Sequence, residues 1–88
     1  MSKAYRDFHF AKVRDVVAPL GGNFPYWLEA AEEADFPADY LAAMAETAFC
    51  CIGNEFAEAS PERLEELQEA IVVLRECCMA MEALESAE

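Results

Sequence analysis

Glycine, proline and histidine are scarce in this chain of 88 residues. Three glycines and four prolines are too few for the closely spaced turns of a many-stranded sandwich or barrel. The single histidine, His9, excludes a metal site built from two or three histidines of one chain. No uncharged apolar run approaches the roughly 18 residues of a membrane-spanning helix. These shortages together favour a small helical protein.

Basic residues are the other shortage. Six Lys and Arg stand against 18 Asp and Glu, which gives a net charge of −12. Four of the six cations lie in residues 1–20, so residues 21–88 carry only Arg63 and Arg75 against the remaining acids. Binding to nucleic acid or to anionic lipid requires cations that replace counterions. We therefore expect neither nucleic acid nor a membrane as a direct partner.

Apolar residues make up 56% of the composition, which suffices for one modest core in a chain of this length. We therefore expect a single helical domain over residues 1–88. The first ten residues lack the apolar stretch of a signal peptide. The expected location is the cytoplasm, where cysteines stay reduced.

Two helices are predicted in the first part of the chain. The spacing of apolar residues predicts the first over residues 3–18, ended by Gly21-Gly22. Asn23 is expected to cap a short second helix, with Pro25 in its first turn.

A third helix is expected to begin near Pro37, with Asp35 as its cap. Gly53-Asn54 is either the end of this helix or a weak point inside a longer one. The sequence leaves that choice open.

The fourth helix has the clearest start signal, Ser60-Pro61-Glu62, in which a capping hydroxyl precedes proline and an acid. It is expected to run to about residue 85. Its apolar residues keep a/d spacing over nearly three heptads: Leu64, Leu67, Ile71, Leu74, Cys78 and Met81. The predicted fold is therefore all-α, a small three- to four-helix bundle with a long antiparallel C-terminal helical hairpin.

The second half of the fourth helix, residues 70–81, is apolar on most sides. Such a helix must be covered nearly all round, and three short helices cover only part of it. We therefore predict a homodimer with two-fold symmetry. Its interface is expected to include Val72, Val73, Met79 and Met81. The alternative is that the fourth helix is the central helix of a monomer.

The cysteines occur as two adjacent pairs, Cys50-Cys51 and Cys77-Cys78. Adjacent residues on a helix point about 100° apart, so both seldom reach one metal ion. In the expected hairpin the pairs lie about 12–14 Å apart, too far for a disulfide. We predict free, mostly buried thiols, no metal and no cofactor. A metal or redox site that forms across a dimer is the alternative.

Acidic residues three and four positions apart share faces of the second and fourth helices. Their excess over residues 21–88 exceeds what solubility requires. We predict that a basic partner binds Glu29, Glu32, Glu33, Glu62, Glu66 and Glu69. The alternative is an acidic face that only contacts water. Tyr26, Trp27 and Phe36 are expected in the core, and Trp27 becomes the candidate interface anchor if the second helix lies at the edge.

These patterns predict a non-enzymatic protein–protein interaction module. Its acidic face would occupy a basic surface of a protein partner, so that the protein acts as an inhibitor or a nucleic-acid mimic. Such partners include proteins that bind nucleic acid. No nucleophile–base pair, glycine loop or cofactor motif supports an enzyme, and His9 lies in an apolar stripe as a structural residue. Two alternatives stay open: a helical homo-oligomer with a cysteine-based site, and an accessory subunit that docks through residues 70–81.

Overall fold

The computed structural model describes residues 3–87, and this range is all-α without a strand. A 3₁₀ turn, Ala18–Leu20, follows the first helix. The four helices are α1, Lys3–Val17; α2, Phe24–Glu33; α3, Ala38–Glu55; and α4, Pro61–Ala87. The predicted all-α class is confirmed. The predicted bounds of the first and fourth helices lie within about two residues of the observed bounds of α1 and α4.

The link between α1 and α2 depends on two glycines. Gly21 and Gly22 have φ angles of +66° and +57°, a region that side chains with a Cβ rarely adopt. Asn23 precedes α2 as predicted, but its side chain makes no capping hydrogen bond. Its own backbone is already helical, whereas a side-chain cap takes an extended backbone. The capping role predicted for Asn23 is therefore wrong.

The start of α3 also differs from its prediction. Pro37, and not Asp35, occupies the position before the helix, and no local side chain caps it. The amide of Ala38 instead donates a hydrogen bond to Oε2 of Glu85 at 3.1 Å. A carboxylate at a helix N-terminus is favourable because of the helix dipole. A residue near the end of α4 thus takes the role predicted for Asp35.

The connection between α3 and α4 is fixed by Arg63. Helix α3 continues through Gly53 to Glu55, which settles the open choice in favour of the longer helix. Ser60 caps α4 as predicted, since its Oγ accepts a hydrogen bond from the Arg63 amide at 3.1 Å. The Arg63 guanidinium donates to Glu55 Oε1 at 3.0 Å and to the Leu20 carbonyl at 2.9 Å. One side chain therefore joins α3, α4 and the 3₁₀ turn.

The other elements are arranged around α4. It packs along α3 and along α1, whereas α2 packs on α1 and α3 and its backbone does not approach α4. Over residues 3–87 the molecule measures 44 × 18 × 18 Å along its principal axes. The core therefore runs lengthwise between α4 and its two neighbours.

The buried stripe of α4 is turned about the helix axis relative to the predicted one. The predicted positions that are fully buried are Leu67, Leu74 and Met81. Ala70 and Cys77 are buried as well, whereas the predicted Ile71 and Cys78 are only half-buried. The stripe is wider than an a/d stripe because α4 has two neighbours and not one.

The paired cysteines show this arrangement directly. The Sγ of Cys78 donates a hydrogen bond to the Ala38 carbonyl of α3 at 3.3 Å. Cys77 is 1% exposed and lies within the electrostatic influence of Arg6 on α1. Cys77 therefore belongs to the buried stripe, and Cys78 lies at its edge toward α3.

We expect Leu74→Ala to lower the free energy of unfolding by about 2–5 kcal/mol, because Leu74 is 0% exposed and its truncation leaves a cavity. Glu69→Ala, at an exposed site five residues earlier on α4, is the matched control and should cost under about 0.5 kcal/mol. Urea unfolding followed by circular dichroism measures both values. Equal losses would contradict the observed orientation of α4.

Candidate functional site

The acidic group on α2 is partly neutralised by α1. Glu29 and Glu33 are exposed, but Glu32 is half-buried and its Oε1 accepts a hydrogen bond from Arg14 Nη2 at 2.7 Å. Arg6 Nη2 donates to the Glu32 and Ala34 carbonyls at 2.7 and 3.0 Å. These carbonyls lie at the end of α2, where a cation also complements the helix dipole. Of the three predicted α2 carboxylates, Glu29 and Glu33 are thus the ones open to a partner.

The acidic group on α4 has no such counterion. Glu62 and Glu69 are exposed and Glu66 is half-buried. Spacings of four and three place all three on one side of α4. Within residues 3–87 none of them takes part in an ion pair; Arg63 is paired with Glu55, and its charge also interacts with the nearby Glu66. This row, which we call the α4 acidic row, is the more complete anionic surface.

The two acidic groups lie on helices that do not pack on each other. The α2 backbone contacts α1 and α3, whereas the α4 acidic row lies on the helix across the core. The predicted carboxylates therefore form two separate clusters, Glu29 with Glu33 and the α4 acidic row.

The six cations are used almost entirely inside the fold. Lys3 pairs with Asp7, and Lys12 lies over the Phe8 ring, 5.0 Å from its centroid. Arg6, Arg14 and Arg63 hold helices together. Arg75 alone makes no hydrogen bond, ion pair or ring contact among the described residues.

Arg75 lies in a groove of about 880 Å³ between α3 and α4. We call it the α3–α4 groove; its lining residues are Ala42, Ala45, Glu46 and Phe49 from α3, and Ile71, Arg75, Cys78, Met79 and Glu82 from α4. Phe49 is 69% exposed and Met79 is 68% exposed. The groove is therefore largely apolar, and the charged groups on its walls are of both signs.

The residues predicted for an oligomer interface fall in different environments. Val72 and Met79 are exposed on the outer side of α4. Val73 is half-buried, and Met81 is 1% exposed and belongs to the core. Met81 points inward because it continues the buried stripe of Leu67 and Leu74. Its predicted place in an interface is wrong, whereas Val72 and Met79 keep a free surface.

The aromatic residues of the α2 region also divide. Trp27 is half-buried against the core and meets the Phe24 ring edge-on, with 5.2 Å between centroids. Tyr26 and Phe36, which we expected in the core, are 71% and 62% exposed. Tyr26 lies on the side of α2 opposite Leu28, and Phe36 lies in the link to α3. The core prediction is wrong for these two residues.

All four cysteines are free thiols. Cys51 lies one turn before Glu55, whereas Cys78 contacts Ala38 at the other end of α3. Thirteen residues of helix separate Cys51 from Ala38, about 20 Å at 1.5 Å per residue. The two cysteine pairs therefore lie near opposite ends of α3.

Burial raises the pKa of three of these thiols. The pKa of Cys77 is raised to about 12, first by burial and then by its neighbour Cys78. The pKa of Cys78 is raised first by burial and second by the negative charge of Glu82. The pKa of Cys51 is raised first by burial and second by the negative charge of Glu55. A thiol with a raised pKa stays protonated near neutral pH and is a poor nucleophile. Cys50 differs in being exposed.

His9 lies between two aromatic side chains of α1. It is half-buried, with the Tyr5 ring edge-on at 4.7 Å and the Phe8 ring at 5.3 Å between centroids. Among residues 3–87, no three side chains of His, Cys, Asp or Glu come together to hold a metal ion. In the same range, no helix has the length and apolar character required to cross a bilayer.

Sequence reasoning missed the importance of Phe49 and Arg75. No role was predicted for Phe49, and Arg75 was counted only as a charge. The isolation of Arg75 among acids was the signal available in the sequence, because a lone cation in an apolar helix segment has few local partners.

The chain matches no family model, and comparison with curated proteins and with solved structures gives no match either. Its function is therefore argued from its own surfaces.

We expect one fast-reacting thiol in the folded protein. At about pH 8 a disulfide reagent should modify Cys50 first, because Cys50 is exposed and the raised pKa values of the others suppress their thiolates. Cys50→Ser should remove the fast phase, and Cys77→Ser should leave it. Absorbance of the released thiol measures the rates, and unfolding in guanidinium should expose all four. A fast phase that survives Cys50→Ser would contradict this assignment.

Proposed function

We propose that this protein is a non-enzymatic protein–protein interaction module whose acidic surface occupies a basic surface of a protein partner. The observation that carries the proposal is the α4 acidic row, Glu62, Glu66 and Glu69, on a helix side without an ion pair. A row of carboxylates at helical spacing offers regularly placed negative charge, as a phosphate backbone does. The expected partner is therefore a basic protein in the cytoplasm. This class includes proteins that bind nucleic acid.

The use of the cations supports this proposal. The ion pairs among residues 3–87 join Lys3 to Asp7, Arg14 to Glu32 and Arg63 to Glu55. Most of the acids among residues 3–87 therefore take part in no ion pair. Surface charge of one sign speeds association with an oppositely charged partner and makes it sensitive to salt.

In this proposal α3 and α4 act as an antiparallel hairpin within a small bundle. The contacts Ala38–Glu85 and Glu55–Arg63 join opposite ends of the two helices and support that arrangement. The hairpin holds the α4 acidic row on a rigid helix. Glu29 and Glu33 on α2 form a second, smaller anionic cluster for a partner that reaches around the molecule.

A cysteine-based function has less support than this interaction role. The two cysteine pairs lie at different ends of α3, and three of the four thiols have raised pKa values. A redox thiol needs the opposite shift, toward the thiolate.

We expect immobilised protein to capture basic proteins from native lysate at about 50 mM salt and to release them at about 300 mM, since screening weakens exposed charge pairs. The variant Glu62→Gln, Glu66→Gln, Glu69→Gln should lose this capture at least about tenfold. Mass spectrometry identifies the partners, and titration calorimetry with a purified partner gives the affinity.

A matched control variant is Asp15→Asn, Asp35→Asn, Glu58→Gln. It removes three exposed carboxylates outside both acidic clusters and changes the net charge equally. It should keep the partner within about threefold of the unmodified affinity. Partners that are not basic, or an affinity that ignores salt, would overturn the proposal.

A further inference from the structure

A cavity of about 310 Å³ lies where α2 packs on the end of α1. We call it the α1–α2 cavity. A volume near 300 Å³ is at the lower end of the range for ligand sites in proteins, so the cavity suits a ligand of few atoms. The residues that line it are Arg14, Val17, Ala18, Pro25, Leu28, Glu29 and Glu32.

Most of this lining is apolar. Val17 and Leu28 are buried because both belong to the core between the helices. Ala18 and Pro25 are exposed, and their side chains are too short to fill the space. Pro25 also has no amide proton to donate. An aliphatic chain therefore finds apolar contacts in the cavity.

The charged part of the lining has one negative charge in excess. Arg14 Nη2 lies 2.7 Å from Glu32 Oε1, so these two charges neutralise each other. Glu29 is exposed and takes part in no ion pair among residues 3–87. A ligand that joins an apolar chain to a cation therefore matches both parts of the lining.

We propose that the α1–α2 cavity binds one arginine side chain, which a basic protein partner presents. The methylene groups of this side chain lie on the apolar lining, and its guanidinium meets the Glu29 carboxylate. A guanidinium donates two parallel hydrogen bonds to a carboxylate and is more weakly hydrated than an ammonium. Arginine therefore fits a carboxylate beside apolar surface better than lysine does.

The contact between Arg14 and Glu32 shows the same recognition within the fold. Glu29 and Glu32 are three residues apart, which places them on one side of α2. Glu32 holds the Arg14 guanidinium, whereas Glu29 borders the same cavity without a cation. A partner's guanidinium at Glu29 repeats this contact one turn earlier along α2. Each of the two cations then has its own carboxylate.

This inference rests on the proposed function, because the arginine belongs to the basic partner. It adds a position at which one side chain of that partner enters the fold. It also separates the two exposed carboxylates of α2, since Glu29 lines the cavity and Glu33 does not. Glu29 is therefore expected to contribute specific binding, and Glu33 only to the general negative charge.

The cation n-butylguanidinium reproduces the arginine side chain without the partner, so its titration tests the cavity directly. At constant ionic strength, nuclear magnetic resonance should show saturable shifts centred on Val17, Ala18 and Leu28. We expect a Kd of about 30 mM or tighter, the range for a ligand of so few atoms. Uncharged n-butanol should bind at least about threefold more weakly, because it lacks the charge that Glu29 meets.

Variants of the charged lining give changes of opposite sign. Glu29→Gln should weaken n-butylguanidinium binding at least about threefold, and Arg14→Gln should strengthen it at least about twofold, because Glu32 becomes free for the ligand. Glu33→Gln removes an exposed carboxylate outside the cavity and should leave the affinity unchanged. Circular dichroism confirms that the variants remain folded.

The proposal would be overturned by a Kd above about 200 mM, by equal binding of n-butanol, or by equal effects of Glu29→Gln and Glu33→Gln. None of these results bears on the α4 acidic row, whose test is the capture of a basic partner. With a captured partner in hand, Glu29→Gln should lower its affinity more than Glu33→Gln does.

Discussion

The burial of α4 between two neighbours is the constraint on which the rest of the structure depends. Leu67 and Leu74 are fully buried because α1 and α3 cover α4 from two directions. Such a helix can carry apolar residues over a wide arc and still expose its outer side. That outer side holds Val72 and Met79. The same arrangement that forms the core therefore also forms the uncovered surface.

The small number of cations is the second constraint. Arg6 and Arg63 donate to backbone carbonyls at the end of α2 and in the 3₁₀ turn, so they serve the fold and not the surface. Each carbonyl bond satisfies a polar group at an element end that has no helical partner. Within residues 3–87 the acids on α4 consequently form no ion pair. Because the few cations join elements of the fold, they stabilise it and also leave the surface negatively charged.

Local signals predicted the helices well, and tertiary contacts explain the errors. The Ser60 cap and the Gly21-Gly22 stop act on their own neighbourhood, so the sequence was sufficient to locate them. The cap of α3 comes from Glu85, 47 residues away, which no local pattern indicates. The spacing of apolar residues likewise predicts that α4 is a helix with an apolar side, but it does not predict how many helices pack against that side. For that reason Met81 was misplaced, while the acidic clusters and the apolar segment 70–81 were recognisable from composition.

The dimensions of the chain have a consequence for its motion in solution. A body of 44 × 18 × 18 Å tumbles faster about its long axis than end over end. Rotation end over end is slowed by the 44 Å length, whereas rotation about the long axis depends on the 18 Å width. The anisotropy of rotational diffusion therefore measures these proportions directly in solution.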